Sequence, residues 1–169
     1  LRVALSTARK SILLYSASDI ELWPTDRLGE HPFLAKLGPD VLDERLSVST
    51  VAQRLCDPRF RGRSLVALLL DQGFLAGMGN YLRSEVLFEA SIAPQRRPRD
   101  LDDEERMALA HALLEVPRRS YATRGVARRS RSRLRSDLQV DHGERFRFRV
   151  FDRAGEDCEA CGGLIERSE

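Results

Sequence analysis

Gln72-Gly73-Phe74-Leu75-Ala76-Gly77-Met78-Gly79-Asn80-Tyr81 joins two apolar segments of helical spacing. Upstream, Leu65, Leu68, Leu69 and Gln72 follow the i, i+3, i+4, i+7 pattern of one helix face; downstream, Leu82 and Val86 start another. Gly77 and Gly79 lack a Cβ, so a tight turn here can adopt positive φ and approach a ligand closely. Asn80 is placed to cap the second helix, whose first N–H groups attract anions. Two readings follow: a phosphate-binding turn, or the plain connection of a helical hairpin.

On the N-terminal side, Ser64 is a candidate cap for the first of these helices, and a further short helix is predicted over 49–55. Pro24, Pro32, Gly38 and Pro39 punctuate residues 21–46, which read as a linker with at most short helical turns. Residues 2–16 read as two strands, Val3 to Leu5 and Ile12 to Tyr15, joined by a polar turn. They are expected to be the last hairpin of another domain. On the C-terminal side, the helix over 80–90 stops before Pro94. A fourth helix is predicted from Asp100, with an acidic first turn that complements the helix dipole and a core stripe of Leu109, Ala112, Leu113 and Val116. Pro117 is expected to end or kink it. Further on, Arg145, Arg147 and Arg149 alternate with Phe146, Phe148 and Val150, the pattern of a strand with one cationic and one apolar face.

Charge is dense but nearly balanced, 28 Lys+Arg against 26 Asp+Glu, so net charge alone says little about partners. Its distribution says more. Between Arg118 and Arg149 there are eleven arginines against three acids, a local balance of +8. The run reads as anion-seeking, or as a solvated loop, since 118–144 shows no apolar periodicity. The three cysteines fit a secreted disulfide framework poorly and point to a reducing compartment. The longest wholly apolar run, Leu65 to Leu70, is far too short to span a bilayer, so a soluble, cytoplasmic protein is expected.

Cys158-Glu159-Ala160-Cys161-Gly162-Gly163 sets two thiols on one tight loop, as tetrahedral zinc requires. A structural zinc site takes four ligands, and no second pair follows before Glu169, so this is half a site. His31, His111 and His142 are scattered, and no nucleophile and base stand together. The chain opens at Leu1 directly in a strand pattern and closes on half a knuckle. A piece of a longer protein is expected.

Leu68-Leu69-Leu70-Asp71-Gln72, Gly77 to Tyr81, Ser84-Glu85-Val86-Leu87-Phe88 and Phe148-Arg149-Val150-Phe151 before Cys158 together resemble the formamidopyrimidine-DNA glycosylase and endonuclease VIII family. Leu14 to Glu21, Gly38 to Leu42 and Ser120 to Gly125 look most like its bacterial endonuclease VIII branch. The resemblance implies a mainly α fold: a helix-two-turn-helix DNA-binding lobe over 47–144, after the last β-hairpin of a β-sandwich domain (1–20) and the linker (21–46). A truncated β-hairpin zinc finger over 145–169, with Cys158 and Cys161 as zinc ligands, would complete it.

The same resemblance implies base-excision repair by a bifunctional DNA glycosylase and AP lyase acting on oxidised bases, pyrimidines by branch. Its partner would be double-stranded DNA carrying an oxidised base or abasic site, and the protein a monomer. Asn80, with Gly77 and Gly79, would bind the phosphate backbone; Lys36 stands where the family presents a basic DNA contact; Tyr121 and Arg124 would begin the loop near the extruded base. Asp40 and Glu85 match acidic positions close to the reaction centre. In the family an N-terminal proline amine attacks the sugar C1′ to form a Schiff base, followed by β,δ-elimination. That proline, its adjacent glutamate, the lysine of the β lobe and the arginine beyond the second zinc-ligand pair are absent from these residues, so the chain alone is expected to bind and not to cut. A non-catalytic helix-two-turn-helix nucleic-acid-binding module is the alternative.

Overall fold

The computed structural model describes residues 2–16, 18–123 and 148–167. The chain divides into two compact units, Leu1–Ala35 and Lys36–Glu169. In the first, β1 (Val3–Ser6) pairs antiparallel with β2 (Ser11–Leu14), Val3 opposite Leu14 and Ser6 opposite Ser11. Thr7 closes the turn: its Oγ1 accepts the Lys10 N–H at 3.1 Å, and its own N–H donates to the Lys10 carbonyl at 2.8 Å. This is the hairpin read from the sequence. A 3-10 helix, Thr25–Glu30, follows Pro24, and the Trp23 ring meets the edge of His31 with centroids 4.9 Å apart. The segment 21–46 is not one linker, because a second 3-10 turn, Leu34–Lys36, leads into residues that belong to the second unit.

The second unit is built from α1 (Val48–Cys56), α2 (Leu65–Leu68), α3 (Asn80–Glu89) and α4 (Asp103–Thr123). Helix α4 packs on both α1 and α3. Val51, Leu55, Val86, Leu109, Leu113 and Val116 are buried in their shared core, each contributing on the order of 1.5–3 kcal/mol by leaving water. The stripe predicted for α4 is therefore the one that packs.

Helix ends differ from the sequence reading for local chemical reasons. Helix α1 starts at Val48 because Ser47 caps it, its side chain accepting the Thr50 N–H at 3.2 Å. Helix α2 stops at Leu68, short of Gln72: the Asp71 carboxylate takes the Gly73 N–H at 2.8 Å and the Gln72 carboxamide turns back on the chain, so both bond locally. Helix α4 starts at Asp103 and not Asp100. Asp102 Oδ1 accepts the Glu105 N–H at 2.8 Å while Glu105 Oε2 accepts the Asp102 N–H at 3.0 Å, a reciprocal capping box.

Pro117 does not end α4, which continues to Thr123. A proline inside a helix costs about 3 kcal/mol or more in isolation. Here Val116, Pro117 and Ser120 are buried, and Arg118 of the same turn donates to the carbonyls of Asp43 and Leu46 at 2.8 and 3.1 Å. Tertiary packing holds the turn in helix. The strand proposed over 145–150 is also corrected where it can be described: Arg149 and Val150 form a bend, because their N–H groups converge on one carboxylate. Among the described residues no helix is long and apolar enough to cross a membrane.

Residues 38–41 run beside 72–76. The Gly38 N–H donates to the Gln72 carbonyl at 2.8 Å, Ala76 N–H to Pro39 at 2.9 Å and Val41 N–H to Ala76 at 3.1 Å. A Cβ on Gly38 would lie 2.6 Å from both the Gly73 and the Phe74 carbonyl oxygens. Those same carbonyls accept from Arg54, Nη2 to Gly73 at 3.0 Å and Nε to Phe74 at 3.1 Å. Gly38→Ala must push this pair of segments apart and should cost about 1–3 kcal/mol or more, read as a lowered urea midpoint at unchanged slope.

Candidate nucleic-acid interface

Between α2 and α3 the chain makes a turn held from behind by side chains. Gln72 Oε1 accepts the Gly77 N–H at 3.0 Å, and Nε2 donates to the Met78 carbonyl at 2.8 Å and to Leu70 at 3.2 Å. Phe74 and Leu75, inside the turn, are fully buried and anchor it to the core. Gly77 sits at φ +94°, where a side chain would be strained, and a Cβ there would meet Val41 Cγ2 at 3.2 Å. The backbone conformation inferred from sequence for Gly77 is thus present.

Asn80 does not cap α3. Gly79 is the N-cap residue, extended at φ −135° and ψ −178°, with no side-chain bond, and Asn80 is the first helical residue. The helix therefore begins without a side-chain cap, and its first N–H groups have no intrahelical acceptor. Asn80 is exposed beside them, and among the described residues its side chain has no hydrogen-bonding partner. This arrangement suits an external acceptor bearing negative charge.

The remaining sequence candidates fall in different places. Lys36 is exposed, and its carbonyl lies against Gly73, so it enters the turn's neighbourhood through the 36–41 segment. Asp40 is exposed; its Oδ1 accepts the Leu42 N–H at 2.8 Å and lies 3.7 Å from the position a Gly77 Cβ would take. Tyr121 is exposed on the last turn of α4, next to Ser120, whose hydroxyl is 3.4 Å from that of Tyr81 on α3. Arg124 lies outside the described residues.

Glu85 is only 2% exposed. Its Oε1 accepts the N–H groups of Val150 and Phe151, both at 2.9 Å, and both its oxygens lie 3.1 Å from the Arg149 N. The carboxylate is the filling of a curled backbone. Phe148 and Phe151 flank it, with centroids 5.0 Å apart, and Phe148 stacks obliquely on Tyr81 at 5.6 Å. Beside it, Glu89 binds Arg149 at 2.9 Å and Arg119 at 3.2 Å, and the Arg149 guanidinium lies 4.5 Å above the Phe88 ring. Glu85 thus holds the 149–151 segment on α3.

At the C-terminal knuckle, Asp157 and Leu164 form an antiparallel bridge, and the Cys158 N–H donates to Gly163 at 2.7 Å. The Ala160 N–H, then the Cys161 N–H, hold the Cys158 thiol below its usual value. The pair suits a soft divalent metal as two of four ligands. Among the described residues no group of three or more His, Cys, Asp or Glu comes together to complete a site.

Sequence reasoning missed Gln72, Arg54, Arg118 and the Glu89 ion network. The first had a signal: a carboxamide five residues before a Gly-x-Gly pair can close the turn on itself. Glu85 also had one, since it interrupts the apolar stripe of Leu82 and Val86.

The sequence matches the formamidopyrimidine-DNA glycosylase H2TH domain over residues 37–131. The chain belongs to that family. Relatives include Endonuclease 8 of an Enterobacter species, 55% identical over 168 residues, and Endonuclease 8 of Salmonella schwarzengrund, 54% identical over 168 residues. The match covers 99% of this chain and 60% of each relative. Among solved structures, MutM (Fpg) of Thermus thermophilus is 34% identical with a TM-score of 0.62, over 85% of this chain and 52% of that one. Lactococcus lactis Fpg, solved with DNA containing an abasic site, superposes with a TM-score of 0.62 at 24% identity, over 84% of this chain and 50% of that one, and shows the shared fold. The H2TH assignment agrees with the mainly helical second unit and with the turn between α2 and α3.

Two outcomes follow for this family member. Glu85→Gln replaces one acceptor oxygen by an amide that faces a backbone N–H, and should cost about 1.5–3 kcal/mol, with faster amide exchange confined first to 149–151. Asp71 titrates below the usual carboxylate value, chiefly through the Arg63 guanidinium, with partial burial opposing and the Gly73 N–H assisting. Its folded pKa lies under its unfolded one, so its stabilisation is present above about pH 4 and is lost as pH falls toward the lowered value. Acid unfolding of Asp71→Asn, followed by circular dichroism, should therefore show a shallower acid limb than the native chain.

Proposed function

We propose that this chain is the DNA-gripping portion of an endonuclease VIII-type base-excision repair enzyme, a bifunctional glycosylase and AP lyase acting on oxidised bases. The observation that carries it is the uncapped start of α3, presented with exposed Asn80, in a chain 55% identical to an Endonuclease 8. The chain spans about 60% of the length of those relatives. The partner would be duplex DNA with an oxidised pyrimidine or an abasic site, in the cytoplasm, with the protein monomeric.

In this reading the α3 N-terminus, Gly77, Gly79 and Asn80 take a backbone phosphate, and Lys36 adds a cation on the adjoining segment. Tyr121 and Arg124 lead toward the extruded base. Asp40, beside the turn, and Glu85 lie close to the reaction centre, Glu85 by holding the 149–151 segment in place. Cys158 and Cys161 would be two of four ligands to a structural zinc, which would lock the knuckle and take no part in the chemistry. An α-amine nucleophile suits Schiff-base formation, since its reference pKa near 8 leaves more of it neutral at pH 7 than a lysine. The residues that would supply that amine and its acid are not among these 169.

Binding to a duplex with an abasic-site analogue and to an undamaged duplex, each at two salt concentrations, tests this. The damaged duplex should bind more tightly, log K should fall linearly with log salt, and no strand incision should follow. Asn80→Ala should weaken binding about tenfold or more, the loss of one hydrogen bond to a charged group. Equal affinity for both duplexes, or an Asn80→Ala variant that binds like the native chain, would remove the turn from lesion recognition.

A further inference from the structure

We propose that Gln72 is the positioning residue of the DNA turn, aiming the Gly79 N–H at the phosphate that the turn receives. The inference rests on the DNA-binding reading above and adds a donor and the side chain that orients it. Gln72 is half-buried behind the turn and holds both edges of the two-residue unit Gly77-Met78. It accepts the Gly77 N–H at 3.0 Å and donates to the Met78 carbonyl at 2.8 Å. At neutral pH a carboxamide supplies a donor and an acceptor together at this length without charge, where a glutamate carboxylate only accepts.

The consequence lies in the next peptide. In a trans peptide the C=O of one residue and the N–H of the next point in opposite directions. With the Met78 carbonyl drawn inward to Gln72, the Gly79 N–H is directed outward, and among the described residues no acceptor meets it. It stands immediately before the first helical N–H groups of α3 and beside Asn80. Gly77, at φ +94°, would otherwise let the peptide rotate, so a glycine turn of this kind needs an external hold to present one direction. Gln72 is that hold.

The test uses the full chain with Gln72→Glu and Gln72→Met, measuring affinity for the abasic-analogue duplex at about pH 7.5 and about pH 5.5, with thermal melting at each. The carboxylate of the Gln72→Glu variant can still accept from Gly77 but repels the Met78 and Leu70 carbonyls. Affinity should drop about tenfold at the higher pH. At the lower pH the protonated share of its carboxyl can donate to Met78 again, so affinity should rise part-way toward the native value. Gln72→Met keeps the volume and neither bond, and should be weak at both pH values. The Gly79 amide resonance should shift on binding in the native chain and less in Gln72→Met.

If Gln72→Met binds like the native chain, the inference is overturned, and the loss in Gln72→Glu is plain charge repulsion. A Gln72→Glu variant that binds as tightly as the native chain at the higher pH overturns it as well. A native chain that binds no damaged duplex sinks the DNA reading itself, and that outcome is seen before any variant is compared.

Discussion

The Glu85 carboxylate sets the arrangement of the second unit's C-terminal part. An ionised carboxylate at 2% exposure would cost several kcal/mol if left unmet. Three consecutive backbone N–H groups, from Arg149, Val150 and Phe151, meet it. Consecutive donors converge on one point only when the chain curls, so the charge dictates a bend where alternation of Arg and Phe suggested a strand. The bend brings Phe148 and Phe151 against Tyr81, one residue after Asn80. One helix thus carries the glycine turn at its start and the seat of the knuckle segment in its middle.

Arginine does a second job in this chain, as a cap for main-chain carbonyls. Arg54 closes Gly73 and Phe74, Arg118 closes Val41, Asp43 and Leu46, and Arg153 closes Phe148 and Arg149. Loops rich in carbonyls that cannot pair in a sheet need such donors, and the guanidinium fork meets two or three at once. This changes the meaning of the basic run between 118 and 149. Arg118, Arg119 and Arg149 are engaged inside the protein, so the local balance of +8 overstates the charge offered to a ligand.

Much of the fold was legible because it follows from periodicity. The hairpin, α1, α3 and the buried stripe of α4 each rest on a repeat of 2 or 3.6 residues, and the core uses the side chains that repeat selects. What was misread has a common cause. The end of α2, the start of α4, the passage through Pro117 and the bend at 148–150 are decided by side chains bonding to backbone, some of them 60 or more residues away, as Arg149 is from Glu85. Periodicity carries no information about such partners. At the candidate site, Gly77 was readable from the turn its φ requires, while Asn80 was assigned the cap one residue late, because Gly79 can take the extended cap conformation without a side-chain bond. The resemblance places Glu85 near the chemistry but carries no information on its burial against the backbone of 149–151.

The division between held and unheld groups gives the interface its character. Gln72, Asp71, Arg54 and Gly38 fix the backbone of the turn from behind, and every one of these contacts is made within the protein. Asn80, Lys36 and Tyr121 are exposed in front of or beside it. Ordering a glycine-containing turn costs on the order of 1–2 kcal/mol per residue in backbone entropy, and here that cost falls on folding. A ligand of the proposed kind would then meet donors already directed at it, and less of its interaction energy would be lost to ordering the protein. The two glycines allow a close approach, and the half-buried side chains behind them remove the freedom that glycines would otherwise bring; neither feature alone would make the turn a receptor for anything.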